Sequence, residues 1–319
     1  AVVSRVMKLD VVIPTFNRAR LIPRALDSLL AAPAPAELEI SIVVVDNNST
    51  DNTREVIAAY AARAARPIRY VLEKQQGSSA ARNAGIRASH GDLVGMIDDD
   101  EEIDNEWFNR IYSAFQDPTL DFIGGACLPR WETTPPPWLP RDYPAVVGWV
   151  ESSPTVRQYG DDFAAMLMGG NAVIRRSVFE KVGLFATHLG RSDSGMGCGE
   201  DEDLFLRLMA AKARGLYLPD LIIYHFVPRE RATKAYHRHW CFWWGVSMAA
   251  RDRVQPQPVP YFLGAPRWMF ANALAGLGKR AKCCLRLKRD PAECFSSELP
   301  AMDLLGYLYG KHFLRKKKA

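Results

Sequence analysis

Hydrophobic positions in the N-terminal part of the chain alternate between two patterns. Short apolar runs rich in β-branched residues predict strands that are buried on both faces of a sheet. Between these runs, apolar residues recur every three or four positions, which predicts helices packed on that sheet. The predicted strands span 9–13, 40–45, 68–72 and 93–97, and a predicted helix follows each of the first three. This alternation indicates an α/β fold with a mostly parallel sheet.

Five consecutive acids, Asp98 to Glu102, follow the fourth predicted strand. If strand geometry continues into them, Asp98 and Asp100 point to one side of the sheet and Asp99 to the other. Two carboxylates on one side offer oxygen ligands to Mg²⁺ or Mn²⁺, which complete their shells with water and substrate phosphates. A solvated acidic turn is the alternative interpretation.

Polar clusters also follow the other predicted strands. Pro14 to Arg18 follows the first strand, Asp46 to Asp51 follows the second, and Gln76 to Ser79 opens the helix after the third. The carboxyl ends of parallel strands meet at one edge of the sheet, where open α/β proteins bind ligands. Neither the glycine pattern of a dinucleotide site nor a phosphate-binding loop with its lysine occurs in the sequence. The edge therefore predicts a polar ligand site of another kind.

Four segments occur in the order and at the spacing typical of family 2 glycosyltransferases. They are Ile13–Arg18, Asp46–Asp51, Gly77 with Ala81–Gly85, and Asp98–Asp100. The chain resembles the nucleotide-sugar half of that family. The resemblance implies the GT-A fold, a Rossmann-like, mostly parallel sheet flanked by helices. It also implies inverting transfer from a nucleotide diphosphate sugar, with UDP as the expected nucleotide.

The same resemblance implies roles for individual residues. The residues expected at the nucleotide sugar are Pro14, Thr15, Phe16, Asn17, Arg18, Asp46, Asn48, Gly77, Arg82, Asp98, Asp99, Gly170 and Asn171. Asp98 and Asp100 would form the D-x-D pair, with Asp98 binding the ribose and Asp100 the metal. Asp98 is also expected to be a metal ligand. Three alternatives stay open, in which Asp46 caps a turn, Arg82 forms an ion pair on a helix face and Asn17 forms a turn.

Acids at Glu200 to Asp203 begin another predicted helix, where the helix macrodipole favours them. Inverting transfer needs a carboxylate that takes the proton of the attacking hydroxyl. The segment resembles the family's Glu-Asp motif, which implies Asp201 as the base, with Glu200 as the alternative. His225 ends an apolar run, and the resemblance implies that it joins Asp98 and Asp100 at the metal. A structural histidine is the other interpretation.

The segment between these motifs has two unusual parts. Residues 129–154 hold a Pro-Pro-Pro sequence and three tryptophans without periodicity, which predicts a binding loop or lid. Alternatively, Trp131 and Trp138 pin this loop to the core. Gly169 and Gly170 enter a predicted strand, and paired glycines there suggest close backbone approach to a ligand.

The formal net charge of +5 hides an asymmetry. Residues 229–319 hold 18 Lys and Arg and 6 Asp and Glu, whereas residues 1–228 hold 23 and 30. Predicted helices at 235–253, 267–287 and 301–314 carry aromatic and basic residues. The predicted division is a catalytic domain over 1–232 and a helical appendage over 233–319. Such helices bind anionic membrane surfaces or, alternatively, only cap the domain.

Several protein classes are excluded by composition. No apolar stretch approaches the ~18 residues of a membrane span, and residues 1–8 do not look like a signal peptide. Six cysteines without a C-x-x-C pair predict reduced thiols, so the expected location is the cytoplasm or the inner face of its membrane. The expected partners are the donor, a glycan or lipid-linked acceptor and an anionic membrane, but not nucleic acid. A sugar nucleotidyltransferase and a non-catalytic carbohydrate-binding scaffold are the alternative functions.

Overall fold

The computed structural model describes residues 6–140, 142–163, 165–190, 199–254, 256–285 and 290–314. As far as the chain is described, it divides into two compact units. The first spans Ala1–Pro129, Val150–Asp193 and Glu200–Phe226, and the second spans Arg130–Trp149, Ser194–Gly199 and Val227–Ala319. The sequence placed the boundary at 232, and it did not separate the stretch 130–149 from the catalytic region.

The first unit is built on the predicted parallel sheet. Its parallel strands are β1 (Met7–Thr15), β2 (Leu38–Asp46), β3 (Ile68–Leu72) and β4 (Leu93–Met96). They lie in the order β3-β2-β1-β4, as expected for crossover connections through helices. Thr15 is the register partner of Asp46, so the residues that follow β1 and β2 emerge side by side at one edge.

Antiparallel strands extend this sheet beyond β4. They are β5 (Glu101–Ile103), β6 (Phe122–Trp131), β7 (Arg157–Gln158), β8 (Ala172–Arg175) and β9 (Gly215–Val227). The order continues from β4 as β8-β6-β9-β5, and β7 pairs with β9. The sequence predicted two short runs where β9 forms one long strand. Pro219 is tolerated because it lies between the residues that pair with β7 and those that pair with β5.

Helices cover both faces of the sheet. They are α1 (Ile22–Ala31), α2 (Thr53–Ala61), α3 (Ser78–Ala88), α4 (Trp107–Ala114), α5 (Arg176–Val182) and α6 (Glu200–Ala210). Alternate residues of β1 enter different cores: Val11 and Ile13 pack into one, and Val12 into the other. Two apolar faces explain why the strands read as continuous apolar runs. The predicted α/β class is therefore confirmed.

The second unit is mainly helical. It contains α7 (Lys234–Val254), a hairpin of β10 (Tyr261–Phe262) and β11 (Ala265–Pro266), α8 (Arg267–Leu285), α9 (Pro291–Ser296) and α10 (Leu299–His312). The three long helices match the prediction, whereas the short α9 was not predicted. No helix among those described is long and apolar enough to cross a bilayer.

A buried carboxylate joins three elements of the second unit. Asp252 on α7 accepts hydrogen bonds from the hydroxyl groups of Tyr261 and Tyr307, the latter at 2.5 Å, and lies 3.4 Å from Lys311 Nζ. Because only 2% of Asp252 is exposed, these partners are needed to offset the loss of water around its charge. The hairpin is thereby fixed to both α7 and α10.

Trp138 packs within the second unit. Its ring lies edge-on to His237 and Phe295, with ring centroids 5.4 Å and 5.1 Å away. This contact supports the alternative in which Trp138 holds the proline-rich segment against a core, in this case the core of the helical unit.

Candidate active site

The acidic run after β4 forms a tight turn. Glu101 N donates to Asp98 O at 3.1 Å, and Asp98 N donates to the Glu101 carboxylate at 2.6 Å. Strand geometry therefore does not continue through Asp98, Asp99 and Asp100, so the condition under which Asp98 and Asp100 would point to one side is not met. Because Glu101 folds back onto Asp98, the three aspartates have different partners.

Each aspartate of the turn meets a residue that the sequence had placed in the site. Asp98 Oδ1 accepts a hydrogen bond from Arg82 at 2.8 Å, and Asp99 accepts one from the Thr15 hydroxyl at 2.7 Å. Asp100 Oδ2 lies 3.7 Å from His225 Nε2 and 3.9 Å from Arg18 Nη1. His225 is in place because Glu101 and His225 are register partners in the β5–β9 ladder.

Burial changes the charge state of this turn. Burial, reinforced by the neighbouring charge of Asp100, raises the pKa of Asp99 to about 7. Burial and the charges of Asp98 and Asp100 raise the pKa of Glu101 well above its ordinary value. This shift favours the neutral form of Glu101, and a neutral Glu101 lowers the repulsion among acids that are crowded into one turn.

Arg82 on α3 connects three carboxylates that are distant in sequence. Besides Asp98, its guanidinium lies 3.3 Å from Glu200 and 3.4 Å from Asp201, at the start of α6. Burial alone would lower the pKa of Arg82, but the charges of Asp98, Asp201 and Glu200 raise it above its ordinary value. Ser78, in the first turn of α3, also donates to Glu200 at 3.2 Å. The α3 helix thus positions the first acids of α6.

Asp201 is held from two sides. One carboxylate oxygen faces Arg82, and the other accepts the Gly169 backbone N–H at 2.9 Å. Burial, opposed by Arg82 and assisted by the charge of Glu200, raises the pKa of Asp201 to about 6. A general base is most effective when its pKa lies near the working pH, so Asp201 is suited to accept a proton.

The paired glycines make room for carboxylates. A Cβ atom at Gly169 would lie 2.3 Å from Asp201 Oδ1, and one at Gly170 would lie 2.4 Å from Glu101 Oε1. The next residue, Asn171, is buried and bonded to Trp107 and to the carbonyls of Ala126 and Leu221. Its side-chain amide belongs to the framework, so its predicted contact with the donor would have to come from its backbone.

The loops after β1 and β2 are joined by Asn17. Its backbone is left-handed, at φ 53°, and its side chain accepts the N–H of Thr50 at 2.7 Å and that of Asp51 at 3.3 Å. The turn-forming interpretation of Asn17 is thus present in the structure. Asp46 accepts the Ser49 N–H and the Tyr70 hydroxyl, both at 2.8 Å.

Other predicted residues of this edge have simpler surroundings. Pro14 lies in β1 beside Val45, Phe16 is partly exposed, and Asn48 has a left-handed backbone. Gly77 N donates to the side chain of Asn47 at 2.8 Å.

Two further residues were not singled out by the sequence. Asn47 is buried and also donates to the carbonyls of Glu73 and Gln75, so it fixes the loop that leads to Gly77. Glu101 closes the acidic turn. Its place in a run of five acids was visible, but the run did not show which acid would turn inward.

The residues of the turn fit a divalent cation in part. In the part of the chain that is described, no group of three or more His, Cys, Asp or Glu side chains could hold a metal ion. Asp100 and His225 nevertheless place an oxygen and a nitrogen ligand atom 3.7 Å apart. Carboxylate oxygens suit Mg²⁺ and Mn²⁺, and these ions take further ligands from substrate phosphates and water. The donor set therefore fits a cation that is shared with an anionic substrate.

Comparison with known proteins places this chain in a family. The model of "Glycosyl transferase family 2" matches residues 10–183, which include the acidic turn and the paired glycines. An uncharacterised glycosyltransferase of Nostoc sp. is 37% identical over 118 residues, covering 37% of this chain and 35% of that protein. The glucosyl-dolichyl phosphate glucuronosyltransferase of Haloferax volcanii is 25% identical, covering 79% of each chain. The succinoglycan biosynthesis protein ExoM of Rhizobium meliloti is 25% identical, covering 73% of this chain and 71% of its own.

Solved structures show the same fold. The mannosyltransferase PcManGT from Pyrobaculum calidifontis, in complex with GDP-Man and Mn²⁺, superposes with a TM-score of 0.62 at 20% identity, covering 95% of this chain and 86% of its own. GalNAc-T7 with UDP, GalNAc and Mn²⁺ superposes with a TM-score of 0.57 at 19% identity, covering 79% and 52%. The chain therefore belongs to glycosyl transferase family 2 and is a glycosyltransferase with the GT-A fold.

Proposed function

We propose that this enzyme transfers a sugar, with inversion, from a nucleoside diphosphate sugar to an acceptor hydroxyl. The observation that carries the proposal is the Asp201 carboxylate. It lies between the Gly169 N–H and Arg82, and its pKa is raised to about 6. Arg82 also binds Asp98 of the acidic turn, so the base and the proposed donor site share one side chain.

The proposed reaction is a single displacement. Asp201 takes the proton of the acceptor hydroxyl as its oxygen forms a bond to the anomeric carbon. The bond between that carbon and the diphosphate oxygen breaks, and the nucleoside diphosphate leaves with the electron pair. Glu200 is the alternative base, but it also accepts from Ser78 and lies beside Arg82, which favours a supporting role.

The donor is proposed to lie along the edge formed by the ends of β1, β2 and β4. Thr15, Phe16 and Asp46 would face its base and ribose, and Asp98 its ribose. Arg18, which lies 3.9 Å from Asp100, is placed to meet the diphosphate. The remaining predicted donor contacts stay with the proposal: Pro14, Asn17, Asn48, Gly77, Arg82, Asp99, Gly170 and Asn171.

Asp100 and His225 would hold a Mg²⁺ or Mn²⁺ ion, with Asp98 as a further ligand. When bound, this ion would neutralise the diphosphate and lower the energy of the leaving group. Support comes from the ligand atoms 3.7 Å apart in this chain and from the Mn²⁺ in the complexes of PcManGT and GalNAc-T7. UDP is the proposed nucleotide, although the PcManGT complex contains GDP-Man.

The acceptor is proposed to be a glycan or a lipid-linked glycan at the inner face of the cytoplasmic membrane. The names of two relatives support this class: one acts on a glucosyl-dolichyl phosphate and the other serves succinoglycan biosynthesis.

Calorimetry with UDP, GDP and dTDP, with and without Mn²⁺, tests the donor site. We expect one nucleotide to bind tightly only with Mn²⁺ and its affinity to fall at least tenfold in Asp100→Ala. Turnover of the matching sugar nucleotide then tests the base. Asp201→Asn should keep donor binding and lose about 10²–10⁴-fold in kcat.

Two results would remove the proposal. Nucleotide binding that does not depend on a divalent cation would contradict the cation site, and full turnover by Asp201→Asn would contradict the base. Release of pyrophosphate from a nucleoside triphosphate and a sugar phosphate would indicate the nucleotidyltransferase alternative. Carbohydrate binding without turnover of any sugar nucleotide would indicate the scaffold.

A further inference from the structure

The hairpin of the second unit ends in an unfavourable residue. Leu263 and Gly264 form its two-residue loop, and both have left-handed backbones, at φ 47° and 77°. Asn-Gly is the usual sequence for such a loop, because asparagine tolerates this conformation and leucine rarely adopts it. The Leu263 side chain is also 64% exposed, beside an exposed Phe262. Leu263 thus has a backbone conformation that leucine disfavours, and its apolar side chain is exposed to water.

The end of α10 adds more exposed apolar side chains at the same place. His312 Nε2 is 2.9 Å from Leu263 O, which fixes the hairpin loop against the last turn of α10. The two residues after His312, Phe313 and Leu314, are exposed, Phe313 to 74%. Arg253 donates to the carbonyls of Lys311 and Leu314 and so holds Leu314 beside the last turn of α10. We call Phe262, Leu263, Phe313 and Leu314 the apolar tip.

Helix α8 continues this exposed apolar surface. Phe262 packs against Phe270 on α8, with ring centroids 5.2 Å apart. Further along α8, Leu274, Leu277 and Leu285 are exposed at spacings that place them near one face of the helix. Large exposed apolar surfaces of this kind mark sites of interaction with a partner or a membrane.

The charges around this surface are basic. Arg267, Lys279 and Lys282 of α8 are exposed, and the sequence continues after Leu314 with Arg-Lys-Lys-Lys. Helix α8 itself contains no Asp or Glu, and two acids elsewhere in the unit are engaged by partners inside it. Asp252 is bonded to Tyr261 and Tyr307, and Glu298 pairs with Arg238 and Arg280. The outward charge of the unit is therefore positive.

We propose that the apolar tip inserts into an anionic phospholipid bilayer, with Arg267, Lys279 and Lys282 of α8 at its headgroups. Apolar side chains bordered by lysine and arginine are the composition of interfacial membrane segments. A second copy of the chain is a poorer occupant, because it would bring the same positive charge to the contact. This inference adds a membrane-binding surface to the proposed function, and it does not depend on the proposed transfer reaction.

Co-sedimentation with vesicles tests the inference on the full chain. The probes are vesicles of phosphatidylcholine alone and of phosphatidylcholine with an equimolar amount of phosphatidylglycerol. We expect binding to the mixed vesicles and at least tenfold weaker binding to the neutral ones. In the double variant Leu263→Asn with Phe313→Ser, binding to the mixed vesicles should fall at least tenfold. The reason is that two apolar side chains are no longer transferred from water into the bilayer.

The variants separate binding from folding. Leu263→Asn places the preferred residue in the left-handed position, so its thermal unfolding midpoint should not fall. Val156→Ser, at an exposed apolar position of the first unit, is the matched control and should bind vesicles as the parent does. Lys279→Gln with Lys282→Gln should weaken binding on the order of fivefold per charge.

Three outcomes would overturn the inference. They are no binding to the mixed vesicles, equal binding to both kinds of vesicle, and unchanged binding in the tip variant. A concentration-dependent dimer that the tip variant abolishes, without vesicle binding, would assign the surface to a second copy instead.

Discussion

The carboxylate of Asp201 has two fixed neighbours, Arg82 and Gly169. Both lower its pKa, whereas burial raises it. The guanidinium of Arg82 and the N–H of Gly169 favour the charged form, whereas burial disfavours it. The balance places the pKa of Asp201 at about 6. The residue is thus mostly ionised at neutral pH, yet it is a stronger base than an ordinary aspartate.

This balance predicts the acid limb of the pH–rate profile. The base must be unprotonated to act, so kcat/KM of the parent enzyme should rise with pH and level off above about 6. The residual activity of Asp201→Asn should not show this rise. An aspartate with its ordinary pKa of 3.8 would place the limb near that pH. Steady-state rates across pH with the sugar donor measure this. Asp203→Asn, in the same helix turn but paired with Arg207, should keep the limb in place.

Gly169 sets the position of the same carboxylate. In Gly169→Ala the new Cβ would lie 2.3 Å from Asp201 Oδ1, and the flexible carboxylate can yield while the backbone stays. A base displaced by about 1 Å can lose on the order of 10²-fold in rate, so kcat should fall while the unfolding midpoint changes little. Rates and thermal unfolding of the same preparations decide this.

Gly278→Ala is the matched control for that substitution. Nothing lies within 4 Å of a Cβ atom at Gly278, inside α8. This variant should keep full activity and gain about 0.5–1 kcal/mol of stability from helix propensity. Equal rates in both variants would mean that the glycine at 169 is not needed to position Asp201.

At the scale of elements, Arg82 joins the start of α3, the turn after β4 and the start of α6. The sequence predicted these elements and placed Arg82, Asp98 and Asp201 in one site. It did not predict that a single guanidinium would meet the carboxylates of Asp98, Glu200 and Asp201. The contacts with Glu200 and Asp201 join residues 118 and 119 positions apart, and no local periodicity encodes such a distance.

Loss of Arg82 should therefore destabilise the fold in a pH-dependent way. Removing one partner of a buried ion pair costs about 3–5 kcal/mol, and the partial exposure of Asp98 and Asp201 lowers the expectation for Arg82→Met to about 2–3 kcal/mol. Without the Arg82 cation, the folded-state pKa of Asp201, which is already raised to about 6, should rise further above its unfolded value. The stability loss should then be small at low pH and grow as pH rises through about 6.

Urea unfolding at about pH 5 and about pH 8 measures this difference. Arg175→Met is the control, because Arg175 donates to the backbone carbonyls of Leu120 and Asp117 instead of carboxylates. Its stability loss should be the same at both pH values. A loss in Arg82→Met that is equally independent of pH would show that Arg82 acts by packing alone.

At the scale of the whole molecule, patterns with a period were predictable and irregular segments were not. The four parallel strands and the three long helices follow from apolar spacing, and the site edge follows from motifs at strand ends. The acidic turn has no periodic pattern, so the sequence carried no signal that Glu101 would fold back onto Asp98. The association of residues 130–149 with the helical unit had none either, because the contacts of Trp138 with His237 and Phe295 are set by tertiary packing.

The distribution of charge is the feature of the whole chain that most affects its ligands. Residues 1–228 hold more acids than bases, and residues 229–319 hold three times as many bases as acids. The proposed donor and the proposed membrane are both anionic. The first must bind at an acidic site, and the second at a basic surface. Screening by salt should therefore act on the two in opposite directions.

We expect two salt dependences of opposite sign. With divalent cations chelated, affinity for the preferred nucleoside diphosphate should rise with NaCl, because salt screens repulsion from the acidic turn. Affinity for vesicles that contain phosphatidylglycerol should fall with NaCl, because salt screens attraction. Calorimetry and co-sedimentation over the same salt series measure both. Lys279→Gln with Lys282→Gln should flatten the vesicle dependence and leave the nucleotide dependence unchanged. If both affinities fell with salt in the parent chain, the donor edge would act as a basic site, and the need for a cation there would disappear.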